Sequence, residues 1–302
     1  KACQIFVELG IEKIRLTGGE PMLRRDIETI IGKLAKLKQA SEKMADQMSD
    51  KLQFVVGAAS VAGDANESND KLKHIGHLRD LALTTNGYFL PERAQAMKDA
   101  GLDRVTISLD SLKRDVFKQM TGVDVLDKVL AGIEAAKRAG LQPIKINAVI
   151  VRGHNEDEVA DFAMPLDSGH DWSPKDVVSG KEIRQRIEER FPLVKVDVVR
   201  GSDTSARYRF ADGANGEIGI IAPVTEAFCG ACSRIRLTAD GQIRTCLFST
   251  VEHSLRDVLR SGASREEIVE FIESVVLKKE PRHFINDPGF VTPSRTMSFI
   301  GG

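Results

Sequence analysis

Three kinds of feature are scarce in this chain, and each scarcity closes off a class of protein. Cysteine is the first: four in 302 residues, three of them bunched toward the C-terminal end, make no disulfide framework and point to a reducing compartment. Long apolar runs are the second. No stretch reaches the length that spans a bilayer and no signal-peptide pattern opens the chain, so the expected location is cytoplasmic, with no membrane partner. Excess charge of one sign is the third. Lysine and arginine number 43 against 44 aspartates and glutamates, so no global field draws in nucleic acid, and any anion binding has to be local. The length allows one barrel-sized domain or two smaller ones. The first residue, Lys1, suggests a start inside a longer reading frame.

What is present is concentrated in one run, FCGACSRIRLTADGQIRTC, which holds Cys229, Cys232 and Cys246 with Arg234 and Arg236 behind the second cysteine. A C-x2-C pair brings two thiolates to one centre across a tight turn. A third, after 13 intervening residues, can return by a hairpin around Asp240 and Gly241. Two readings of three thiolates stay open. A four-iron cluster held by three would keep one iron free for a substrate atom; a zinc knuckle would complete its shell with a fourth ligand such as His253. Either way the arginines would offset thiolate charge and could fork onto phosphate or carboxylate oxygens.

The first half alternates β-rich runs with helical patterns, the sign of parallel βαβ units. Strands are expected at Lys13 to Thr17, Leu81 to Asn86, Val105 to Asp110 and Ile144 to Val151. Helices are expected at Arg24 to Leu37, Pro91 to Ala100 and Val125 to Ala139, the last two stopping at Gly101 and Gly140. A packed barrel interior would be nearly all aliphatic, yet polar residues recur at alternate positions here. Arg15 and Thr17 share a face, as do Thr84 and Asn86, then Thr106, Ser108 and Asp110, then Lys145 and Asn147. Singly these could cap strand ends. Together they predict a wide or incomplete α/β barrel whose lumen, near the C-terminal strand ends, takes a polar, phosphorylated ligand. Gly18-Gly19-Glu20-Pro21 follows the first strand. Two glycines admit a ligand close to the backbone and Pro21 fixes the Glu20 carboxylate beside it, although an ordinary βα turn would read alike. Later, Val177 to Glu189, Phe191 to Val198, Arg207 to Phe210 and Glu217 to Ile221 read as a segment covering the open side. Helices at Ser254 to Ser261 and Arg265 to Lys278 precede an irregular tail.

Six blocks in order, IRLTGGEPMLRRD, LALTTNG, AGLDRVTISLDSL, PIKINAVIVRG, EIGIIAPVTEAFCGACSRIRLTADGQIRTCLF and the closing MSFIGG, together resemble the GTP 3',8-cyclase family of molybdenum cofactor biosynthesis, within the radical S-adenosylmethionine enzymes. The resemblance implies an incomplete TIM barrel of the radical SAM type over residues 1–163, with an insertion at about 39–73. A C-terminal molybdenum cofactor synthesis region would follow over 164–302. It implies that Cys229, Cys232 and Cys246 hold a second four-iron cluster, and that Arg15, Thr84, Lys145, Arg234, Ile235 and Arg236 bind GTP. Gly19, Ser108 and Met164 would contact S-adenosylmethionine, and Gly301 and Gly302 would form a catalytic tail. The implied reaction begins with reductive cleavage of S-adenosylmethionine at a first four-iron cluster. The resulting radical takes hydrogen from C3' of the GTP ribose, and the carbon radical attacks C8 of guanine. An electron donor, a downstream cyclic pyranopterin synthase and a homodimer are the further partners implied.

The chain departs from the family in three places. The C-x3-C-x2-C motif of the first cluster is expected upstream of Lys1, with a GTP-binding arginine, and Cys3 does not fit it. The insertion expands a normally brief connection. A strand expected before Met164 is missing, which should distort the sheet there. These departures leave open an incomplete chain or a decaying copy, and so a non-catalytic remnant that binds GTP or a cluster, or a structural zinc protein. A sulfur-carrier reading of the Gly-Gly end fits poorly with repeated βα units.

Overall fold

The computed structural model describes residues 1–38, 78–161, 178–196 and 205–295. After a short helix α1 (Ala2–Glu8), its frame is a parallel sheet of β1 (Lys13–Leu16), β2 (Asp80–Thr85), β3 (Arg104–Ser108) and β4 (Lys145–Asn147), hydrogen-bonded in that sequential order. Between them run α2 (residues 27–38), α3 (Leu90–Asp99), α4 (Arg114–Thr121) and α5 (Leu126–Arg138). Sequential parallel order with a helix after each strand is the opening arc of a barrel, the fold class expected from the sequence.

Register makes the sheet two-faced. Pairing aligns Ile14 with Leu81, Leu16 with Leu83 and Val105, and Thr85 with Ile107 and Ile146. Leu81, Leu83, Val105 and Ile107 are buried in one cluster with Ile31 of α2, Leu90 and Met97 of α3 and Val129 of α5. Each such side chain contributes about 1.5–3 kcal/mol by leaving water. Opposite, the rows read Lys13 and Asp80; Arg15, Ala82 and Arg104; Thr84, Thr106 and Lys145; Ser108 and Asn147. The polar alternation is therefore one continuous face. Helix α5 comes so close to the β2–α3 turn that a Cβ on Gly132 would lie 2.5 Å from the carbonyl oxygen of Gly87, a contact only glycine permits.

The fourth strand is shorter than the expected Ile144 to Val151. Beyond Asn147 the ladder gives way to side chains: Asp110 Oδ1 accepts the Val149 N–H at 2.9 Å, and Asn155 Oδ1 accepts that of Val151 at 2.8 Å. Asn155 Nδ2 donates to the carbonyls of Asp110 and Val149 at 2.6 and 2.7 Å. Among the described residues β4 has a strand on one side only.

Helix α6 (Gly180–Glu188) and an antiparallel sheet of β5 (Leu193–Lys195), β6 (Ala206–Phe210) and β7 (Ile218–Ile220) follow. They add Ile183, Ile187, Tyr208 and Ile220 to the same core. A second core gathers around β8 (Arg236–Leu237), β9 (Gln242–Arg244), β10 (His253–Ser254), α7 (Leu255–Arg260) and α8 (Arg265–Val276). There Ile243, Leu255, Ile268, Ile272 and Val275 pack with Ile5 and Phe6 of α1. Helix α8 opens with a capping box: Ser264 accepts the Glu267 N–H and Glu267 accepts that of Ser264. No helix among the described residues is long and apolar enough to cross a membrane. The 39–73 insertion, the Met164 strand gap and the terminal Gly301 and Gly302 lie outside the described residues.

Candidate functional site

The polar sheet face collects four of the sequence-predicted ligand residues. Arg15 and Lys145 are exposed, while Thr84 and Ser108 are half-buried. Thr106, between Thr84 and Lys145 in the same row, is 6% exposed. At the N-terminal end of the face Arg104 grips Asp80, Nε to Oδ1 at 2.9 Å and Nη2 to Oδ2 at 2.5 Å. The buried hydroxyls of Thr84 and Thr106 and the Arg104 Nη1 have no hydrogen-bond partner among the described residues. Buried polar atoms are normally satisfied, so orphaned donors beside two exposed cations suit an anionic, oxygen-rich ligand.

The turn after β1 is built for close approach. Gly18 has φ 140°, a conformation that side chains resist, and a Cβ on Gly19 would meet nothing within 4 Å. Glu20, by contrast, is turned to the scaffold. Its Oε1 accepts the Met22 N–H at 2.9 Å and the Thr85 hydroxyl at 2.8 Å, and its Oε2 accepts the Asn86 N–H at 2.7 Å. The carboxylate read from the sequence as standing beside a ligand instead closes the end of β2, because three donors converge on it. Past β3, Glu158 accepts the Ser111 hydroxyl at 2.7 Å and the Leu112 N–H at 2.9 Å. Burial pushes the Asp110 carboxyl up, opposed by the Val149 N–H.

The hairpin expected between Cys232 and Cys246 is present, formed by β8 and β9. Cys229 opens a one-turn helix over Cys229–Ala231, with the Cys232 N–H on the Cys229 carbonyl at 3.0 Å. The chain then enters β8, turns through Thr238 to Gly241 and returns in β9 to Cys246. Thr238 braces that hairpin, donating to Asp240 Oδ1 at 2.6 Å and accepting the Gln242 N–H at 2.8 Å. All three thiols are free and half-buried. Burial lowers the Arg236 guanidinium, against the opposing pull of Cys246 and Cys232. Burial also raises the Cys246 thiol, with the Phe248 backbone, Lys279 and Arg236 drawing it back. Arg236 therefore lies in the field of both thiols. Ile235 packs against the second core, so of the predicted Arg234-Ile235-Arg236 segment the side chains that could meet a ligand are the arginines.

Among the described residues no three His, Cys, Asp or Glu side chains converge on one metal-ion position. Three free thiols with Arg236 and Lys279 near Cys246 are, by their chemistry, a donor set that an iron–sulfur cluster could take. Lys279, His283 and Arg244 also shape this site and were not read from the sequence. Lys279 Nζ donates to the carbonyls of Arg234, at 3.0 Å, and Thr245. The Arg244 side chain, fully buried, reaches Glu252 Oε1 at 3.0 Å and the carbonyls of Leu247 and Ser249. Lys279 and His283 lie far from the cysteines in sequence, so only the fold brings them there.

The sequentially wound βα sheet with a polar face and a glycine-rich first turn is the arc of an α/β barrel, and comparison with known families makes its class that of the radical SAM enzymes. The radical SAM superfamily matches residues 1–164, and the Molybdenum Cofactor Synthesis C family matches residues 163–285. The chain belongs to the GTP 3',8-cyclase family. It is 41% identical, over 98% of its length, to the GTP 3',8-cyclase of Corynebacterium glutamicum, of which it covers 74%. Against that of Streptomyces coelicolor it is 38% identical over 97% of its length, covering 80%. Against that of Thermodesulfovibrio yellowstonii it is 36% identical over its whole length, covering 85%.

Proposed function

We propose that the chain acts as a GTP 3',8-cyclase, a lyase that converts GTP into (8S)-3',8-cyclo-7,8-dihydroguanosine 5'-triphosphate for molybdopterin biosynthesis in the cytoplasm. The observation that carries this reading is the polar sheet face, where register brings Arg15 of β1, Thr84 of β2 and Lys145 of β4 onto one side with Thr106 of β3 between the last two, and where the Thr84 and Thr106 hydroxyls have no partner among the described residues. Arginine and lysine there suit the triphosphate, and a threonine hydroxyl suits the sugar or phosphate oxygens. Holding the ribose in one place turns an encounter into a positioned reaction.

Cys229, Cys232 and Cys246 would hold the second four-iron cluster, and Arg234 and Arg236 would offset its charge and that of the nucleotide. Gly19, with its unobstructed backbone, and Ser108 are assigned to S-adenosylmethionine, together with Met164. Gly301 and Gly302 are assigned to the catalytic tail. When bound, S-adenosylmethionine and its own four-iron cluster supply the radical that abstracts hydrogen from the substrate; the protein supplies position and charge. An electron donor, a cyclic pyranopterin synthase that consumes the product and a second copy in a homodimer complete the expected partners.

Anaerobic reconstitution followed by GTP titration tests the reading. The chain should take up about four irons at its three-thiol site, and Arg15→Ala or Lys145→Ala should each weaken GTP binding about tenfold to a hundredfold. GTP affinity untouched by both substitutions removes the sheet face as the nucleotide site.

A further inference from the structure

The three thiols are carried by little regular structure. Cys229 and Cys232 sit on a single turn, β8 has two residues and β9 three. Something outside these segments has to fix their spacing, and the stretch after α8 is placed to do so. Lys279 ties the backbone two residues after Cys232 to the backbone just before Cys246, through the Arg234 and Thr245 carbonyls. Glu280 Oε2 accepts the Thr245 hydroxyl at 2.7 Å. Three residues further on, the backbone N–H of His283 donates to Cys229 Sγ at 3.3 Å.

The His283 ring is anchored on the same segment that carries Cys229. Nε2 lies 2.7 Å from the Pro223 carbonyl oxygen, and because a carbonyl only accepts, Nε2 bears the hydrogen. The Asn286 Nδ2 donates to the next carbonyl, that of Val224, at 2.8 Å. The ring also meets that of Phe248, two residues past Cys246, in an edge-type contact with centroids 5.0 Å apart and planes inclined at 62°. At 9% exposure His283 thus touches one thiol through its backbone, that thiol's own loop through Nε2, and the loop of another thiol through its ring.

We propose that His283 is a positioning residue for the thiol centre: its ring fixes the strap of residues 279–286 so that its backbone N–H is held on the Cys229 sulfur. This rests on the cluster reading above. A hydrogen bond to a cluster-ligating sulfur favours the more negatively charged, reduced state and raises the reduction potential. His283→Leu leaves the backbone N–H in the chain but frees the strap. His283→Gln offers an amide donor that can reach Pro223.

The test uses the whole chain, anaerobically reconstituted with iron and sulfide, and reads iron per chain, the electron paramagnetic resonance spectrum of the reduced cluster and its midpoint potential. His283→Leu should shift the potential to more negative values and change the spectrum, and His283→Gln should return both toward wild type. In the apo chain, at a pH where Cys229 is fully ionised in both proteins, its thiolate should react with iodoacetamide about threefold faster in His283→Leu, because the sulfur lone pair is no longer held by the N–H. Asn286→Ala, which loosens the same anchor from the surface, should move the potential the same way by less, and decides the matter if the leucine variant fails to fold. Unchanged potential, spectrum and alkylation rate in the folded variants overturn the assignment while leaving the cluster reading intact. A wild-type chain that binds no iron overturns both.

Discussion

Glu20 Oε2 accepts the backbone N–H of Asn86 at 2.7 Å, so the carboxylate of the first βα turn closes the end of the neighbouring strand. Its other oxygen takes the Thr85 hydroxyl and the Met22 N–H. The glycine-rich turn is therefore tied to the neighbouring strand by a carboxylate that faces the scaffold.

Substituting Glu20→Gln keeps the length but turns an N–H toward donors that need an acceptor. The expected loss is about 1.5–3 kcal/mol, the worth of a charged hydrogen bond, read as a lower urea midpoint with unchanged slope. A midpoint equal to wild type denies the closure role.

Much of this arrangement was legible beforehand, for identifiable reasons. Alternation in strands has an exact period of two, so Arg15, Thr84, Ser108 and Lys145 could be placed on one face without knowing the register. Close spacing makes Cys229, Cys232 and the Asp240-Gly241 hairpin a local problem. What stayed hidden depends on contacts between distant segments. Helix α1 has no side-chain cap, and its apolar face is defined by the second core at the other end of the chain. The early end of β4 follows from Asp110 and Asn155 replacing ladder bonds. Lys279 and His283 reach the thiols only through three dimensions.

The Arg104–Asp80 pair lies on the same face as the proposed nucleotide site, with side chains 14% and 18% exposed. Arg104→Leu leaves Asp80 half-buried beside a hydrophobic replacement, at an expected cost of about 2 kcal/mol after allowing for partial exposure. The double change Arg104→Leu with Asp80→Leu should recover part of that loss. Thermal unfolding of the two variants checks it, and additive losses would mean the residues do not interact.

Asp110 gives a pH dependence. Burial raises its carboxyl, so the protonated form favours folding and its stabilising effect is lost as pH rises through the raised folded value. Asp110→Asn keeps an oxygen for the Val149 N–H without that charge. The variant should gain stability relative to wild type between about pH 4, near the ordinary carboxyl value, and pH 7. Urea melts at the two values check the sign, and a gain that shrinks toward neutral pH would refute it.

The tail is latched through Asp240. Arg295 donates Nη1 and Nη2 to its two oxygens at 3.0 and 2.8 Å, and Arg295 Nε pairs with Glu252 at 2.9 Å. Arg295, with help from Thr238, holds the Asp240 carboxyl far below its usual range. A depressed folded value means the contribution is present above the unfolded value, about 3.9, and is lost only as pH falls through the folded one. The latch should therefore hold from neutral pH well into mild acid. Hydrogen exchange of residues 285–295 should be alike at pH 7 and about pH 5 in wild type, once corrected for intrinsic rates, and faster at both in Asp240→Asn. Exchange that is indifferent to the substitution, or protection already gone at pH 5, would show that the tail is held elsewhere.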